Sequence, residues 1–342
     1  MDYKAAVIGL GVMGCIADGL GGKHPEWYPP CCHADAYLCH PDVQLVAGCS
    51  RSVEKREYFQ TKYSNTDTYK DFRELLARES IDLISIATPA TCHAEMVIES
   101  AKAGAKGIYC EKAMACSLAE CDEMIQVCDA NDTVLIINHQ RRWDNQFGAL
   151  KKFLDEGNIG NLQSIQISFG GGRLCRGGSH MFDLALMLAE DKIETGWGWL
   201  SNPSDFDPGG MGVFETSSGI RITVDGSAGM NHYFQADLIG EGGLIRILDG
   251  GFQMESWLLG NGSNFGLMDK HHLPINYSSR SPMLNAVDNL IQSIEHENKP
   301  DSSGLNGTAA FEMITAIHQS HRNNKAMIQF PLKDRTTIIE SN

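Results

Sequence analysis

Residues 3–14, YKAAVIGLGVMG, decide the fold of this chain. Tyr3 to Ile8 is a short apolar and β-branched run of the kind that forms a buried parallel strand, and it leads directly into Gly9, Gly11 and Gly14. In a G-x-G-x-x-G turn the first glycine permits the tight reversal, the second lets backbone approach a pyrophosphate, and the third lets the next helix pack close. Amides near Val12 and Met13 would face that anion at a helix N-terminus, where about half a unit of positive charge collects, so no basic side chain is required. A glycine turn alone is a weak signal, and its weight depends on the elements downstream of it.

Beyond Gly14, strand and helix patterns alternate. VQLVAGCS (43–50), IDLISIAT (81–88), GIYCEK (107–112) and TVLIIN (133–138) are further buried-strand runs, separated by helix-favouring stretches at 53–63, 71–79, 93–103 and 118–130. A βαβα series predicts a doubly wound parallel sheet, here an α/β Rossmann domain over residues 1–140 that binds NAD or NADP. From residue 141 the rhythm changes. GALKKFLDEGNIG (148–160) reads as a helix closed by glycine, NLQSIQISFG (161–170) alternates with period two, and SHMFDLALMLAE (179–190) is helical. Antiparallel strands are expected at 210–215, 220–227, 233–239 and 244–248, and helices at 283–296 and 308–321. Residues 141–342 are therefore expected to form an α+β substrate-binding domain, a division that suits 342 residues.

One stretch breaks the pattern. DGLGGKHPEWYPPCC (18–32) holds glycines and prolines incompatible with a continuing helix, so the first helix should stop near Asp18 and an excursion carry the chain to His33. It stretches the distance from Gly14 to the end of the second strand well past the about 20 residues usual for the motif. Trp27 and Tyr28 within it suit a cleft wall or an oligomer contact equally.

Composition excludes several functions. With 28 basic against 43 acidic residues the formal charge is −15, which repels phosphate backbones and anionic membranes, so no nucleic acid or membrane partner is expected. No apolar run is long enough to span a bilayer, and Tyr3 to Ile8 lacks the features of a secretory leader; a cytoplasmic location is expected. On that reading the eleven cysteines are free thiols, and the sequons at Asn131, Asn261, Asn276 and Asn306 carry no meaning. Cys31, Cys32, His33, Cys39 and His40 include soft ligands but no paired C-x-x-C spacing, so packing is preferred over a metal.

The second strand of an NAD site usually ends in a carboxylate that holds the ribose hydroxyls. Here the chain reads GCSRSVEKRE (48–57). Ser50 can donate a hydrogen bond while Arg51, Lys55 and Arg56 can surround a 2′-phosphate, which favours NADP over NAD. The plainer alternative makes Lys55 and Arg56 a solvated helix face.

Taken in order, GLGVMG (9–14), HADAYLCHPDVQLVAGCSRS (33–52), ATPATCHAEMVIESAKAGAKGIYCEKAMACS (87–117), HQRRWDNQFGALKKFLDEGNIGNL (139–162), GSHMFDL (178–184), LIGEGGLIRI (238–247), AVDNLIQSIEHENKP (286–300) and MIQFPL (327–332) resemble the Gfo/Idh/MocA oxidoreductases over nearly the whole chain. The resemblance implies a Rossmann domain followed by a domain with an open, mostly antiparallel sheet, and activity on sugars, inositols and related polyols in a homo-oligomer. Glu111 and Lys112 match that family's Glu-Lys-Pro motif, with Ala113 in place of the proline whose peptide is usually cis. Lys112 would hydrogen-bond the reacting hydroxyl and the nicotinamide ribose, easing formation of an alkoxide as hydride leaves. His180 and Asp183 match a His-x-x-Asp at the start of a helix, with His180 as general acid/base and Asp183 orienting substrate or a neighbouring cation. Thr88, Pro89 and His93 match the loop beside the nicotinamide, and Arg142 and Trp143 a stretch reaching the substrate.

Arg176 stands where many relatives carry an aspartate. Either an internal acid neutralises it, or the substrate brings a carboxylate or phosphate that a guanidinium binds well. The resemblance leaves two alternatives to a dehydrogenase: a glycoside hydrolase or lyase passing through a transient keto-sugar, and a non-catalytic nucleotide-binding regulator, against which intact Lys112 and His180 speak.

Overall fold

The computed structural model describes residues 3–17, 28–228, 233–260, 268–273 and 280–341. The chain divides into two units, one made of Met1–Asp144, Ser279–Thr308 and Glu340–Asn342 and the other of Asn145–Ser278 and Ala309–Ile339.

In the first unit the described strands are β1 (Tyr3–Ile8), β2 (Val43–Cys49), β3 (Asp67–Tyr69), β4 (Leu83–Ile86), β5 (Gly107–Cys110) and β6 (Val134–Ile137). They form one parallel sheet in the order β3-β2-β1-β4-β5-β6. That order reverses direction between β1 and β4, the switch point where such sheets bind ligands outside the carboxyl ends of their strands. Strand β4 and strand β5 are buried at every position, as a sheet covered on both faces requires.

A helix coded far downstream completes this unit. Pro282–His296 buries Met283, Ala286, Val287, Leu290 and Ile291, a helical stripe that joins Tyr109, Trp143 and Tyr37 in one core. Ser281 caps it, its hydroxyl accepting from the amides of Met283 and Leu284, and Pro282 fits the first helical position.

The second unit carries a nine-stranded sheet. Its strands are β7 (Leu162–Gly170), β8 (Ile193–Leu200), β9 (Gly210–Thr216), β10 (Arg221–Ala228), β11 (Phe234–Gly240), β12 (Gly243–Leu248), β13 (Gln253–Leu259), β14 (Met268–His272) and β15 (Ile328–Gln329), in the order β14-β13-β12-β11-β7-β10-β9-β8-β15. Among the described strands of this sheet only β7 and β10 pair in parallel. Burial alternates along β10 and β12, so one face packs a core around Phe182 and Phe214, whose rings meet edge-on at 6.3 Å.

The α/β plan and the mostly antiparallel second sheet agree with the sequence reading, which does not find β3, β8, β13, β14 or β15. The helix expected after the glycine turn begins as a π-helical turn at Val12–Ile16. Residues 18–27 of the excursion, Trp27 among them, lie outside the described residues. No described helix is long and apolar enough to cross a membrane.

Candidate active site

The glycine turn follows β1. Gly9 has φ 102°, and a Cβ there would fall 2.4 Å from the Ala87 carbonyl oxygen; one at Gly14 would fall 1.9 Å from the carbonyl oxygen of Gly9. Both positions therefore exclude any side chain. Gly11 differs, because a Cβ there would meet only Lys55 Nζ, at 4.0 Å. Its backbone faces open space bordered by an ammonium, as a pyrophosphate requires. Val12 is 53% exposed beside it. The Cys15 carbonyl accepts from Lys62 Nζ at 2.9 Å and from Tyr63 Oη at 3.4 Å, side-chain bonds that hold the wider π turn in place of the regular helix expected there.

At the end of β2, Ser50 takes the place of an acidic residue, and Arg51 is exposed. Arg56 is committed elsewhere: its guanidinium donates to the carbonyls of Ser50 at 2.5 Å and Arg51 at 3.2 Å. It shapes the loop that carries the other two. Lys55 lies in the first turn of the helix Val53–Lys62, its amide donating to the Ser52 cap at 3.2 Å.

The loops after β4 and β5 are clamped together. His93 is fully buried, with Nε2 2.8 Å from the Thr88 carbonyl oxygen and Nδ1 3.0 Å from that of Ala113. Burial pushes its imidazole below the usual histidine range, against the pull of the carbonyls and of Glu111. His93 thus fixes the Thr88–Pro89 loop against the Lys112 loop. The Lys112–Ala113 peptide is cis, with alanine in the motif's third place.

Glu111 turns inward and is 5% exposed. Its Oε1 accepts from Asn138 Nδ2 at 2.6 Å and lies 3.2 Å from His33 Nε2, and its Oε2 accepts from the Lys112 amide at 3.3 Å. Burial pushes the carboxyl up, but the His33 bond, the Lys112 charge and the Asn138 bond outweigh it and hold it at about 2. Lys112 itself is half-buried. The glycine turn, Ser50, Arg51, Lys55, Thr88, Pro89, Glu111 and Lys112 therefore gather at the carboxyl ends of β1, β2, β4 and β5.

Arg142 and Trp143 belong to this unit as well. Trp143 lies in its core, 4% exposed, its indole N–H bonded to Asn289 at 3.0 Å, and Arg142 donates to the Asp301 carbonyl at 3.2 Å. Both hold the returning segment, a packing role their motif does not announce. His33 and His40, two of the soft ligands in the sequence, bond Glu111 and Asp288 respectively.

In the second unit the helix Ser179–Ala189 carries half-buried His180 in its first turn and fully buried Asp183 one turn on. Arg176 is exposed, and its guanidinium forms no ion pair among the described residues. Among the described residues no acid neutralises it, although that is one of the two expectations for Arg176. The nearby acid, Asp207, instead accepts from the amides of Cys175 at 2.8 Å and Arg176 at 2.9 Å. Asp207 was not marked by any motif. Asn138 and Ser85 were not marked either, and His33 only as one of a group of soft ligands; all three lie far in sequence from Glu111.

Residues 30–139 match the family model described as an oxidoreductase family with an NAD-binding Rossmann fold. A myo-inositol 2-dehydrogenase of Thermotoga maritima is 26% identical over 204 residues, 56% of each chain, and a scyllo-inositol 2-dehydrogenase (NADP+) of Bacillus subtilis is 32% identical over 37% of this chain and 38% of that protein. The match thus spans about half the length or less of these curated relatives. The WlbA dehydrogenase from Bordetella pertussis, solved with NADH and UDP-GlcNAcA, superposes with a TM-score of 0.80 over 97% of this chain and 99% of that one at 18% identity. Residues 30–139, the Glu111–Lys112 pair among them, are thus similar to the Gfo/Idh/MocA oxidoreductases, and the chain shares the fold of the solved structures it superposes on.

Proposed function

We propose that the protein moves a hydride between NADP or NAD and a secondary hydroxyl or keto carbon of a sugar, polyol or sugar derivative. The observation that carries this reading is the open backbone face of Gly11 beside Lys55, set at the switch point where Lys112 also emerges. The nicotinamide, when bound, supplies the two-electron chemistry. Lys112 hydrogen-bonds the reacting oxygen and stabilises it as it takes on negative charge. His180 takes the hydroxyl proton in oxidation and returns it in reduction, an exchange suited to an imidazole near neutral pH. Asp183, buried one turn away, orients the substrate.

The first unit, residues 1–144 completed by 279–308 rather than the expected 1–140 alone, serves the nucleotide, and the second, residues 145–278 with 309–339, the substrate and self-association. The half-buried face of the second sheet presents Trp197, Trp199, Met211, Val213 and Trp257, a surface suited to a second copy of the chain. A reducing cytoplasm suits the free cysteines. The reading is tested with a panel of sugars, polyols and sugar acids and both cofactors, following reduced-nicotinamide absorbance. Wild type should turn over at least one panel member. Lys112→Met and His180→Asn should each keep cofactor affinity and lose turnover by roughly a hundredfold.

Arg176 favours an anionic substrate, because an exposed guanidinium with no ion pair among the described residues, on a loop fixed by Asp207, is ready to take a carboxylate or phosphate. Arg176→Ala should lower kcat/KM for an acidic sugar by roughly tenfold or more and leave its neutral parent nearly unaffected; equal losses on both would refute an anion contact.

A further inference from the structure

Beneath Lys112 lies a buried chain of polar side chains that the proposed chemistry does not yet use. From Glu111 it runs one way through Asn138 to Tyr109, whose hydroxyl donates to Asn138 Oδ1 at 2.8 Å. The other way it runs through His33, whose Nδ1 lies 2.9 Å from Ser85 Oγ, itself 2.8 Å from Tyr37 Oη. His33, Ser85, Tyr37 and Tyr109 are fully buried. A carboxylate in such a place is costly unless both oxygens are bonded, and packed apolar side chains would serve stability as well or better. What apolar packing could not do is grip the Lys112 amide and set a fixed negative charge beside the Lys112 side chain.

His33 is itself held from several sides. Its ring meets Tyr109 edge-on at 4.4 Å. Its helix, His33–Cys39, is tied by Asp35 to Lys62 at 2.6 Å and Tyr63 at 2.7 Å, and by His40 to Asp288 at 2.9 Å. The residue before that helix's cap region is anchored too, the Pro30 carbonyl accepting from Ser281 at 2.5 Å. Nε2 faces Glu111 and Nδ1 faces Ser85, so both ring nitrogens are held by the network.

We propose that His33 is a positioning residue for Lys112: through Glu111 it fixes the peptide and the adjacent charge that aim the ammonium at the reacting oxygen. This rests on the hydride-transfer reading above. Three variants test it. Glu111→Gln keeps shape and removes the charge, His33→Gln keeps an amide donor, and His33→Leu removes the bond. On the best panel substrate, Glu111→Gln and His33→Leu should lose tenfold or more in kcat with KM and cofactor affinity little changed, while His33→Gln keeps at least a third of the wild-type kcat. Melting curves normalise each rate to folded protein, and if His33→Leu does not fold, Glu111→Gln against His33→Gln decides. Wild-type kcat per folded molecule in Glu111→Gln would overturn the proposal. If wild type turns over no panel member, the functional reading fails separately, and imidazole 15N spectra judge the network alone. A proton on Nε2 of His33 whose signal shifts in Glu111→Gln supports it, and a signal indifferent to that change overturns it.

Discussion

Lys55 and Arg51 sit on one short segment yet address different parts of a dinucleotide. Lys55 borders the space at Gly11, where a pyrophosphate approaches, whereas Arg51 stands exposed at the end of β2, where the ribose lies. Lys55→Ala should therefore weaken NADP and NAD alike, by roughly tenfold each, and Arg51→Ala should weaken NADP selectively. Fluorescence titration of both reduced cofactors checks this; loss of NADP alone in Lys55→Ala would move its ammonium to the 2′-phosphate. The sequence showed three cations in this stretch and could not divide them. Arg56 is spent on two carbonyl groups, a fact set by the path of the loop rather than by residue type. The glycines were legible because their constraint is local, whereas Glu111 was legible only as a motif member: its partners arrive from residues 33 and 138 by way of the sheet.

At the scale of elements, legibility followed local pattern. Strands of continuous apolar residues are legible, whereas in β8, IETGWGWL, the glycines at 196 and 198 interrupt the strand signal of Ile193, Thr195 and the two tryptophans. Its glycines are demanded from across the core. A Cβ at Gly198 would fall 2.5 Å from the Met211 carbonyl oxygen and 2.9 Å from Ile317, so the helix Gly304–Arg322 can lie close only over a bare backbone. The same helix holds His318, buried and with no hydrogen-bond partner at Nε2 among the described residues. Burial first, then the charges of Arg322 and His321, push its imidazole down to about 4. The unfolded chain thus binds a proton that the folded one refuses between about pH 6.5 and 4, so the contribution of this group is complete above that window and is lost as pH falls through it. Melting temperature should drop between pH 7.5 and pH 5, and His318→Gln should flatten that drop. A slope unchanged in the variant would assign the acid sensitivity to other groups.

For the whole molecule, the two sheets were legible from their periods, two kinds of rhythm in one chain. How the last sixty residues are shared was not, because an amphipathic stripe such as Met283–Leu290 states that a helix buries one face but not which sheet it covers. In the structure this helix supplies Met283, Val287 and Leu290 to the core around Tyr109 and Trp143. A fragment ending at residue 144 should accordingly fail to melt cooperatively and bind no cofactor, while the same fragment supplemented with a peptide covering 279–308 should regain part of both. Cooperative melting of the fragment alone would show the helix to be dispensable.

The return of that helix also sets a timetable for synthesis. A ribosome delivers the glycine turn, both halves of the parallel sheet and Lys112 early, yet the side chains that close over Tyr109 emerge only once residues 279–308 have been made. At about 5–20 residues per second the nascent sheet waits on the order of ten to thirty seconds with that face uncovered. During the wait strands β7 to β14 can pair locally, but their unit waits in turn for residues 309–339, so neither body is complete when the other's late segment emerges. A truncated or stalled product would thus carry an unfinished, sticky nucleotide fold rather than a working half, which makes an aborted chain a substrate for chaperones and proteases instead of a competitor for the cofactor.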